Sequence, residues 1–398
     1  MSIQTIDQLD LKNKRVFIRC DFNVPLTADG KIADETRIRE SLPTIQYALK
    51  KQAMVILASH LGRPNGTRTE KYSLAPVAER LMEELGLPEV IFPEECVGSG
   101  VVKLSRELRP GQLMLLENLR FHKGEEAGDE TFAKQLAALC DIYIDDAFGV
   151  MHRPHSSIVG MLPFVEQTGV GFLVQKEIEF FKPLLMEPKR PFVAILGGAK
   201  VSDKIGVIES LLNKVDSLMI GGAMAYTFLK ALGRPVGNSK VENDKVHTAK
   251  KLLERARAKE IPILLPVDHI IAQTISEDAE VQTTKGEEIP DGWMGVDIGP
   301  KTVANFGKAL GKARTLFWNG PLGVYEFEKF SEGTYSVAKL VAGLKTTTTI
   351  IGGGDSAAAV EKAGLAKSVS HISTGGGAAL ELIENGTLPG LEALGFTL

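Results

Sequence analysis

The sequence predicts an α/β protein of two domains, and three observations carry that prediction. Short β-rich apolar runs alternate with amphipathic helical stretches from one end of the chain to the other, the pattern left by parallel sheets with helical crossovers. With 398 residues, the chain exceeds what a single hydrophobic core normally covers. Pro188 and Pro191 flank the pair Lys189 and Arg190; they interrupt the helical pattern and place a connector between domains there.

Taken in order, strands are expected over residues 15–19, 54–58, 112–116 and 142–144 in the first half. In the second half they are expected over 192–196, 217–220, 263–265, 315–318, 347–351 and 369–373. Each is a short run of apolar residues, most rich in β-branched or large side chains, of the length a buried strand needs. Between them, apolar residues recur at helical spacing over 36–51, 74–85, 172–187, 202–213 and 243–259. The stretch 277–299, rich in charge, glycine and threonine, reads as loops or a small β insertion. No short repeat and no low-complexity tract interrupts this order.

Composition excludes several functions without choosing one. Lys+Arg 46 against Asp+Glu 50 leaves a formal charge of -4, so nothing global draws the chain to nucleic acid or acidic membranes, and any affinity for anions must be local. Residues 1–10 carry acidic groups and no apolar core, which argues against a secretory signal. No apolar run is long enough to span a bilayer. Cys20, Cys96 and Cys140 have no CxxC spacing and read as buried thiols of a reduced compartment.

Loops that follow the strands of a parallel sheet emerge on one edge, where such folds bind ligands. In the first half, the loops 21–25, 60–64, 117–123 and 145–157 carry His60, Arg63, Arg120 and Arg153, and Arg37 stands in the first turn of the helix after Asp34. Singly each is best read as a surface charge. Together on one edge they form a basic pocket, since guanidinium forks suit phosphate and carboxylate. In the second half, residues 352–356 turn a buried strand into a helix whose bare N–H groups can approach phosphates. Asp355 could hold Mg²⁺ there, although Asp355 or Ser356 could equally be a helix cap. Gly352, Gly354 and Ala357 fit GxGxxA, but the strand that follows runs into Thr374 and three glycines rather than the acid a dinucleotide ribose requires. Lys200 and Lys204 lie near the start of another helix, where cations oppose the dipole and are useful when an anion binds between them; a solvated pair is the plainer alternative. Two anion sites suggest phosphate transfer between their ligands. A two-domain dehydrogenase lacks the ribose acid and leaves the arginines unexplained, and a non-catalytic nucleotide-binding module leaves Lys200 and Arg37 unexplained.

The segments Arg19-Cys20-Asp21-Phe22-Asn23-Val24-Pro25, His60-Leu61-Gly62-Arg63-Pro64, Leu196-Gly197-Gly198-Ala199-Lys200-Val201-Ser202-Asp203-Lys204, Trp318-Asn319-Gly320-Pro321-Leu322-Gly323-Val324 and Gly352-Gly353-Gly354-Asp355-Ser356 resemble the motifs of phosphoglycerate kinases, in family order over essentially the whole chain. The resemblance implies two Rossmann-like lobes with a deep cleft between them: a phosphoglycerate-binding lobe over 1–171, an interdomain helix and hinge over 172–190, a nucleotide-binding lobe over 191–374, and a segment 375–398 that packs back on the first lobe. It implies reversible phosphoryl transfer from 1,3-bisphosphoglycerate to ADP, giving 3-phosphoglycerate and ATP, by a monomeric cytoplasmic enzyme of glycolysis and gluconeogenesis that uses Mg²⁺ and has no nucleic-acid or membrane partner. Carried over by motif, Asp21, Phe22, Asn23, Arg37, His60, Leu61, Gly62, Arg63, Arg120 and Arg153 would hold the phosphoglycerate. Gly198, Lys200, Lys204, Gly295, Asn319, Glu326, Gly353, Gly354, Asp355 and Ser356 would hold the nucleotide, with Gly221 and Gly222 near the adenine and Asp355 on the metal. Arg37 and Lys200, one from each lobe, would serve the phosphoryl group in transit while the lobes close and exclude water. The chain departs from the family pattern at Cys20, Ala223, Ser356 and around Arg153, where Met151 and Pro154 intervene; proline biases Arg153 towards extended backbone and leaves the aim of its side chain open.

Overall fold

The structure is a computed structural model that describes residues 3–396. The chain divides into two compact units, one running up to Glu179 and rejoined by the stretch from Thr387 on, the other Phe180–Gly386.

In the first unit β1 (Arg15–Cys20) leads through α1 (Thr36–Lys50) to β2 (Met54–Ala58), and α2 (Ala75–Leu85) and α3 (Ser99–Glu107) lead to β3 (Leu113–Leu115). Then come α4 (Lys123–Ala127), α5 (Glu130–Ala137), β4 (Ile142–Asp146), β5 (Gln167–Val170) and α6 (Phe172–Met186). All strand pairs are parallel, in the order β3-β2-β1-β4-β5. The strands are apolar on both faces because helices cover both: Val16, Ile18, Val55 and Leu57 face one core, while Phe17, Ile56, Met114 and Tyr143 face the other. Strand order reverses at β1, so the crevice beyond its carboxyl end is the place where this topology binds ligands. The strand β5, half exposed, was not expected from the sequence, since Gln167-Thr168-Gly169-Val170 is neither apolar nor alternating.

The second unit is built around β6 (Phe192–Leu196), α7 (Ile205–Leu211), β7 (Ser217–Ile220), α8 (Met224–Ala231), α9 (Val246–Ala258) and β8 (Ile263–Leu264). The strands β9 (His269–Ala272), β10 (Val281–Thr283) and β11 (Met294–Ile298) follow, then α10 (Pro300–Leu310), β12 (Thr315–Asn319), α11 (Glu332–Ala342), β13 (Thr348–Gly352), α12 (Gly354–Lys362), β14 (His371–Ile372) and α13 (Gly377–Asn385). A six-stranded parallel sheet runs β14-β13-β12-β6-β7-β8, and β10-β9-β11 form a separate antiparallel sheet. The stretch read as loops or a small insertion thus contributes two strands to this small sheet. Direction reverses at β6 and β12, which brings the loops after β6, β7, β12 and β13 to one edge.

The units part inside α6, within the connector expected over 172–190; from there on, Phe180 stacks on His371 with ring centres 4.6 Å apart and Phe181 packs edge-on to Phe317 at 6.3 Å. The returning segment begins at Thr387 and not near Gly375, because α13 lies against α7, with the Ser210 hydroxyl donating to the Ile383 carbonyl at 2.7 Å. Only the last turn, α14 (Pro389–Ala393), joins the first unit, where the Gly390 N–H donates to the Met151 carbonyl at 2.9 Å.

Candidate active site

The first-unit loops interlock beyond the carboxyl ends of β1, β2 and β3. Asp21 follows β1 directly and pairs with Arg37 in the first turn of α1. Its other oxygen accepts the Asn23 N–H at 3.2 Å and lies 4.0 Å from Nδ1 of His60. The Asn23 side chain accepts the Gly62 N–H at 2.8 Å, and the Gly62 carbonyl accepts Nη1 of Arg120 at 3.0 Å. Gly62 has φ +64, and a Cβ there would lie 2.3 Å from the Tyr72 ring, so its glycine is dictated by the turn. Phe22 and Leu61 are buried; they place the loop backbone, the Phe22 N–H donating to the Ser59 hydroxyl at 2.8 Å and the Leu61 carbonyl accepting from Asn118 at 2.8 Å. Arg63 and Arg153 stand exposed, with no side-chain partner among the described residues. The structure therefore links Asp21, Asn23, Arg37, His60, Gly62 and Arg120 and leaves Arg63 and Arg153 free to meet a ligand.

Beneath this rim lies a buried polar floor that sequence reasoning missed. Arg19, wholly buried, donates from Nε to the Ser157 hydroxyl at 2.8 Å, and Ser157 donates in turn to Glu125 at 2.5 Å. Nη2 of Arg19 lies 3.4 Å from Nδ1 of His60. A guanidinium has no lone pair to offer, so Nδ1 accepts and the proton of His60 sits on Nε2. Burial and the positive charges of Arg19, Arg120 and Arg37 hold the His60 pKa well below its ordinary value, so the ring is a neutral donor at neutral pH. Burial pushes the Glu125 carboxyl up, against Arg19 and the donors of Ser157. His155 is lowered to about 3 by burial and by Arg120, Arg19 and Arg153. One signal for this floor was available: a cationic residue, Arg19, inside an otherwise apolar strand, where an unpaired charge is almost never buried.

The second-unit edge is woven from backbone. The Gly197 N–H donates to the Asn319 carbonyl at 2.9 Å, Gly198 to Pro321 at 2.9 Å, Gly222 to Leu322 at 3.0 Å and Met224 to Gly198 at 3.0 Å. A Cβ on Gly222 would lie 2.6 Å from the Gly198 nitrogen, and one on Gly221 2.5 Å from the Leu322 side chain; this close packing already accounts for both glycines. Gly295 in β11 is held against the Tyr226 hydroxyl, which would be 2.0 Å from an added Cβ. Lys204 is nearly buried and donates to the carbonyl of Asn319 at 3.2 Å and to its side-chain oxygen. Burial lowers its pKa to about 8, against the pull of Asp203 and Asp355. Lys200 and Glu326 are exposed.

At the end of β13, Gly353 caps α12 with φ +88, and a Cβ on Gly354 would meet nothing within 4 Å. The helix starts three residues earlier than expected, so the N–H groups of Gly354, Asp355 and Ser356 form its open first turn. The Ser356 hydroxyl is buried, accepts the Gly320 N–H at 3.0 Å and donates to the Gly352 carbonyl; it ties two loops together and does not face outward. Asp355 is exposed. Among the described residues no cluster of three or more His, Cys, Asp or Glu could hold a metal by itself. A lone carboxylate beside an open helix start fits magnesium that takes its remaining ligands from phosphates and water.

A parallel α/β unit with a guanidinium and imidazole edge, and a second with a glycine-lined helix start beside Lys204, define a two-domain phosphotransferase. The family model for phosphoglycerate kinase matches residues 6–386. The chain is 54% identical over 395 residues to the phosphoglycerate kinase of Anaeromyxobacter dehalogenans (strain 2CP-C), covering 99% of each chain. It is also 54% identical over 395 residues to the cytosolic phosphoglycerate kinase of Triticum aestivum, covering 99% of this chain and 98% of that one. The solved structure of phosphoglycerate kinase from Coxiella burnetii superposes with a TM-score of 0.89 at 41% identity, covering 99% of both chains. The chain belongs to the phosphoglycerate kinase family.

Proposed function

We propose that the first unit holds phosphoglycerate on Asp21, Asn23, Arg37, His60, Arg63, Arg120 and Arg153, and that the second holds the magnesium nucleotide at Lys204, Asn319, Glu326 and the start of α12. The activity is that of the family: phosphoryl transfer with a carboxyl group as acceptor, between 1,3-bisphosphoglycerate and ADP on one side and 3-phosphoglycerate and ATP on the other, as in glycolysis and gluconeogenesis. The observation that carries the assignment is the division of labour between a side-chain-built basic edge and a backbone-built helix start.

The attacking carboxylate of 3-phosphoglycerate is ionised at neutral pH, so the step needs no general base, and the neutral His60 is suited to donate from Nε2. Arg37, half exposed beside Asp21, and Lys200, exposed and without a partner among the described residues, serve the oxygens of the phosphoryl group in transit, where positioning and electrostatics do most of the catalysis. Magnesium at Asp355 would neutralise charge on the nucleotide phosphates. The first-turn N–H groups of α12 hold those phosphates along the helix dipole. We place the enzyme in the cytoplasm as a monomer, a location in keeping with the cytosolic relative from Triticum aestivum. No helix among the described residues is long and apolar enough to cross a membrane.

The test joins a coupled assay for ATP formation from 1,3-bisphosphoglycerate and ADP to calorimetric titration of each ligand separately. Arg63→Ala should weaken phosphoglycerate binding by roughly tenfold or more, as for loss of a charge-assisted hydrogen bond, and leave nucleotide binding unchanged. Asp355→Asn should weaken magnesium-nucleotide binding and leave phosphoglycerate binding unchanged. Comparable losses for both ligands in either variant contradict the assignment.

A further inference from the structure

The loop that carries Lys200 is fastened on both sides. Before it, the Gly198 N–H donates to the Pro321 carbonyl at 2.9 Å and the Gly198 carbonyl accepts from Met224 at 3.0 Å. After it, the carboxylate of Glu242 accepts the N–H groups of Val201 and Ser202, the latter at 3.1 Å, and the Ser202 hydroxyl at 2.6 Å. Between these anchors Ala199 and Lys200 are exposed and make no hydrogen bond among the described residues. Glu242 is itself held in place: its N–H donates at 3.1 Å to the hydroxyl of Thr227, a buried residue of α8.

Open N–H groups before a helix are ordinarily met by the side chain of a nearby Ser, Thr or Asp. Ser202 stands in position to serve, yet its hydroxyl donates to Glu242, and a carboxylate from 40 residues farther along the chain supplies the acceptor. Burial works against the charge of Glu242, but the donors of Ser202 and Val201 outweigh it and hold the carboxyl below its ordinary pKa, so it stays ionised at neutral pH. Both carboxylate oxygens are engaged by this one loop, and neither pairs with Lys200, whose ammonium remains available to a ligand.

We propose that Glu242 is a positioning residue for phosphoryl transfer: by pinning Val201 and Ser202 it fixes the course of the loop and so the aim of Lys200. This rests on the reading of Lys200 as the group that serves the phosphoryl in transit. Misplacement by about 1 Å costs up to roughly 10²-fold in rate, whereas affinity for a ground state that Lys200 does not grip is little affected.

The experiment is a double-mutant cycle in the full chain, read as kcat in the coupled assay and as nucleotide Kd by calorimetry. Glu242→Ala should lower kcat roughly tenfold and leave the nucleotide Kd within about twofold; placed on Lys200→Ala, it should cause no further loss of kcat. Glu242→Gln keeps an acceptor oxygen for the two N–H groups and should recover most of the rate. Equal losses of kcat in both backgrounds, or a loss of affinity matching the loss of rate, overturn the proposal, because both report a loop that merely supports the fold. Ser202→Ala removes one of the three bonds and replaces Glu242→Ala in the cycle if that variant does not fold; its expected loss is roughly threefold, again absent on Lys200→Ala. If Lys200→Ala alone keeps its kcat, the reading of Lys200 fails. If Lys200→Ala loses kcat while Glu242→Ala does not, the positioning role alone fails.

Discussion

The two units build their anion sites from different materials. The first stands charged side chains on a floor of buried polar groups: Arg19, Glu125 and Ser157 are wholly buried and His60 is 3% exposed. The second uses backbone, with Gly198, Gly222, Gly320 and Gly353 all at positive φ and loops so close that a methyl group would strike carbonyl oxygens or amide nitrogens. A buried charge network is stable only when every member is satisfied, so the first site is sensitive to a change of charge. Backbone donors do not titrate, so the second is sensitive to a change of shape. Lys204 is an exception, a buried side chain set against the Asn319 backbone, while Lys200 stands exposed.

The strongest way to break the contrast is to add a methyl group. Gly222→Ala combines φ +67 with a Cβ 2.6 Å from the Gly198 nitrogen and 2.8 Å from the Pro321 carbonyl. Strain and overpacking together should cost roughly 4 kcal/mol of stability, measured by denaturant unfolding. Gly354→Ala, where a Cβ meets nothing, should leave stability unchanged and serves as the control; equal effects at the two glycines would show that shape does not govern this edge.

Next in size is Lys200→Ala. Removing one preorganised electrostatic donor should lower kcat by roughly 10² to 10³-fold with a smaller effect on ground-state binding. Lys204→Ala should instead raise the nucleotide KM, since the phosphate it meets is present in the ground state. A Lys200→Ala enzyme that keeps kcat and loses only KM would mean that the two lysines had been assigned in reverse.

What the sequence made legible follows the same contrast. The apolar runs located the strands of both parallel sheets except β5, because strands buried on both faces announce themselves as continuous hydrophobic segments. The rim arginines were visible by residue type: Arg63, Arg120 and Arg153 needed only the rule that loops after parallel strands share an edge, and Arg37 was read from its place in the first turn of a helix. The floor was visible only at Arg19, a cation inside an apolar strand: Glu125 and Ser157 are distant from it in sequence, and only folding shows that one guanidinium joins the other two groups. Glu242 was missed for the same reason, since a single glutamate between Val241 and Asn243 carries no local signature. The glycines were read as ligand contacts, but at Gly221 and Gly222 loop packing suffices to require them. At 167–170 and in β10, exposed positions weaken the apolar pattern on which such reading depends.

A smaller effect separates Lys204 from its backbone setting. Its pKa of about 8 lies below the ordinary lysine value because burial disfavours the charge. A bound phosphate favours the ammonium, so nucleotide binding should take up protons as pH rises through about 8, and affinity should fall above that pH. The free protein responds in the opposite sense: burying the charged lysine costs stability below pH 8, and that cost is relieved as pH rises from about 8 towards the unfolded value. Calorimetry in buffers of different ionisation enthalpy measures the proton uptake, which should vanish in Lys204→Arg. Absence of uptake near pH 8 in the unaltered protein would place Lys204 away from the phosphates.

The smallest expected effect on binding is at Ser356, and it decides what the start of α12 offers a ligand. By residue type the hydroxyl looks like a phosphate contact. In the structure it accepts the Gly320 N–H at 3.0 Å and donates to the Gly352 carbonyl, so it joins the loop after β12 to the end of β13, while the Ser356 N–H remains in the open first turn. Ser356→Ala should therefore cost about 1–2 kcal/mol of stability, because the Gly320 N–H loses a buried acceptor, yet leave nucleotide affinity within roughly twofold, or about 0.4 kcal/mol. Unfolding and calorimetric titration of the same variant separate the two quantities. A tenfold loss of affinity with unchanged stability would show that the hydroxyl turns outward to the phosphate, and the second site would then rest on side chains, as the first does.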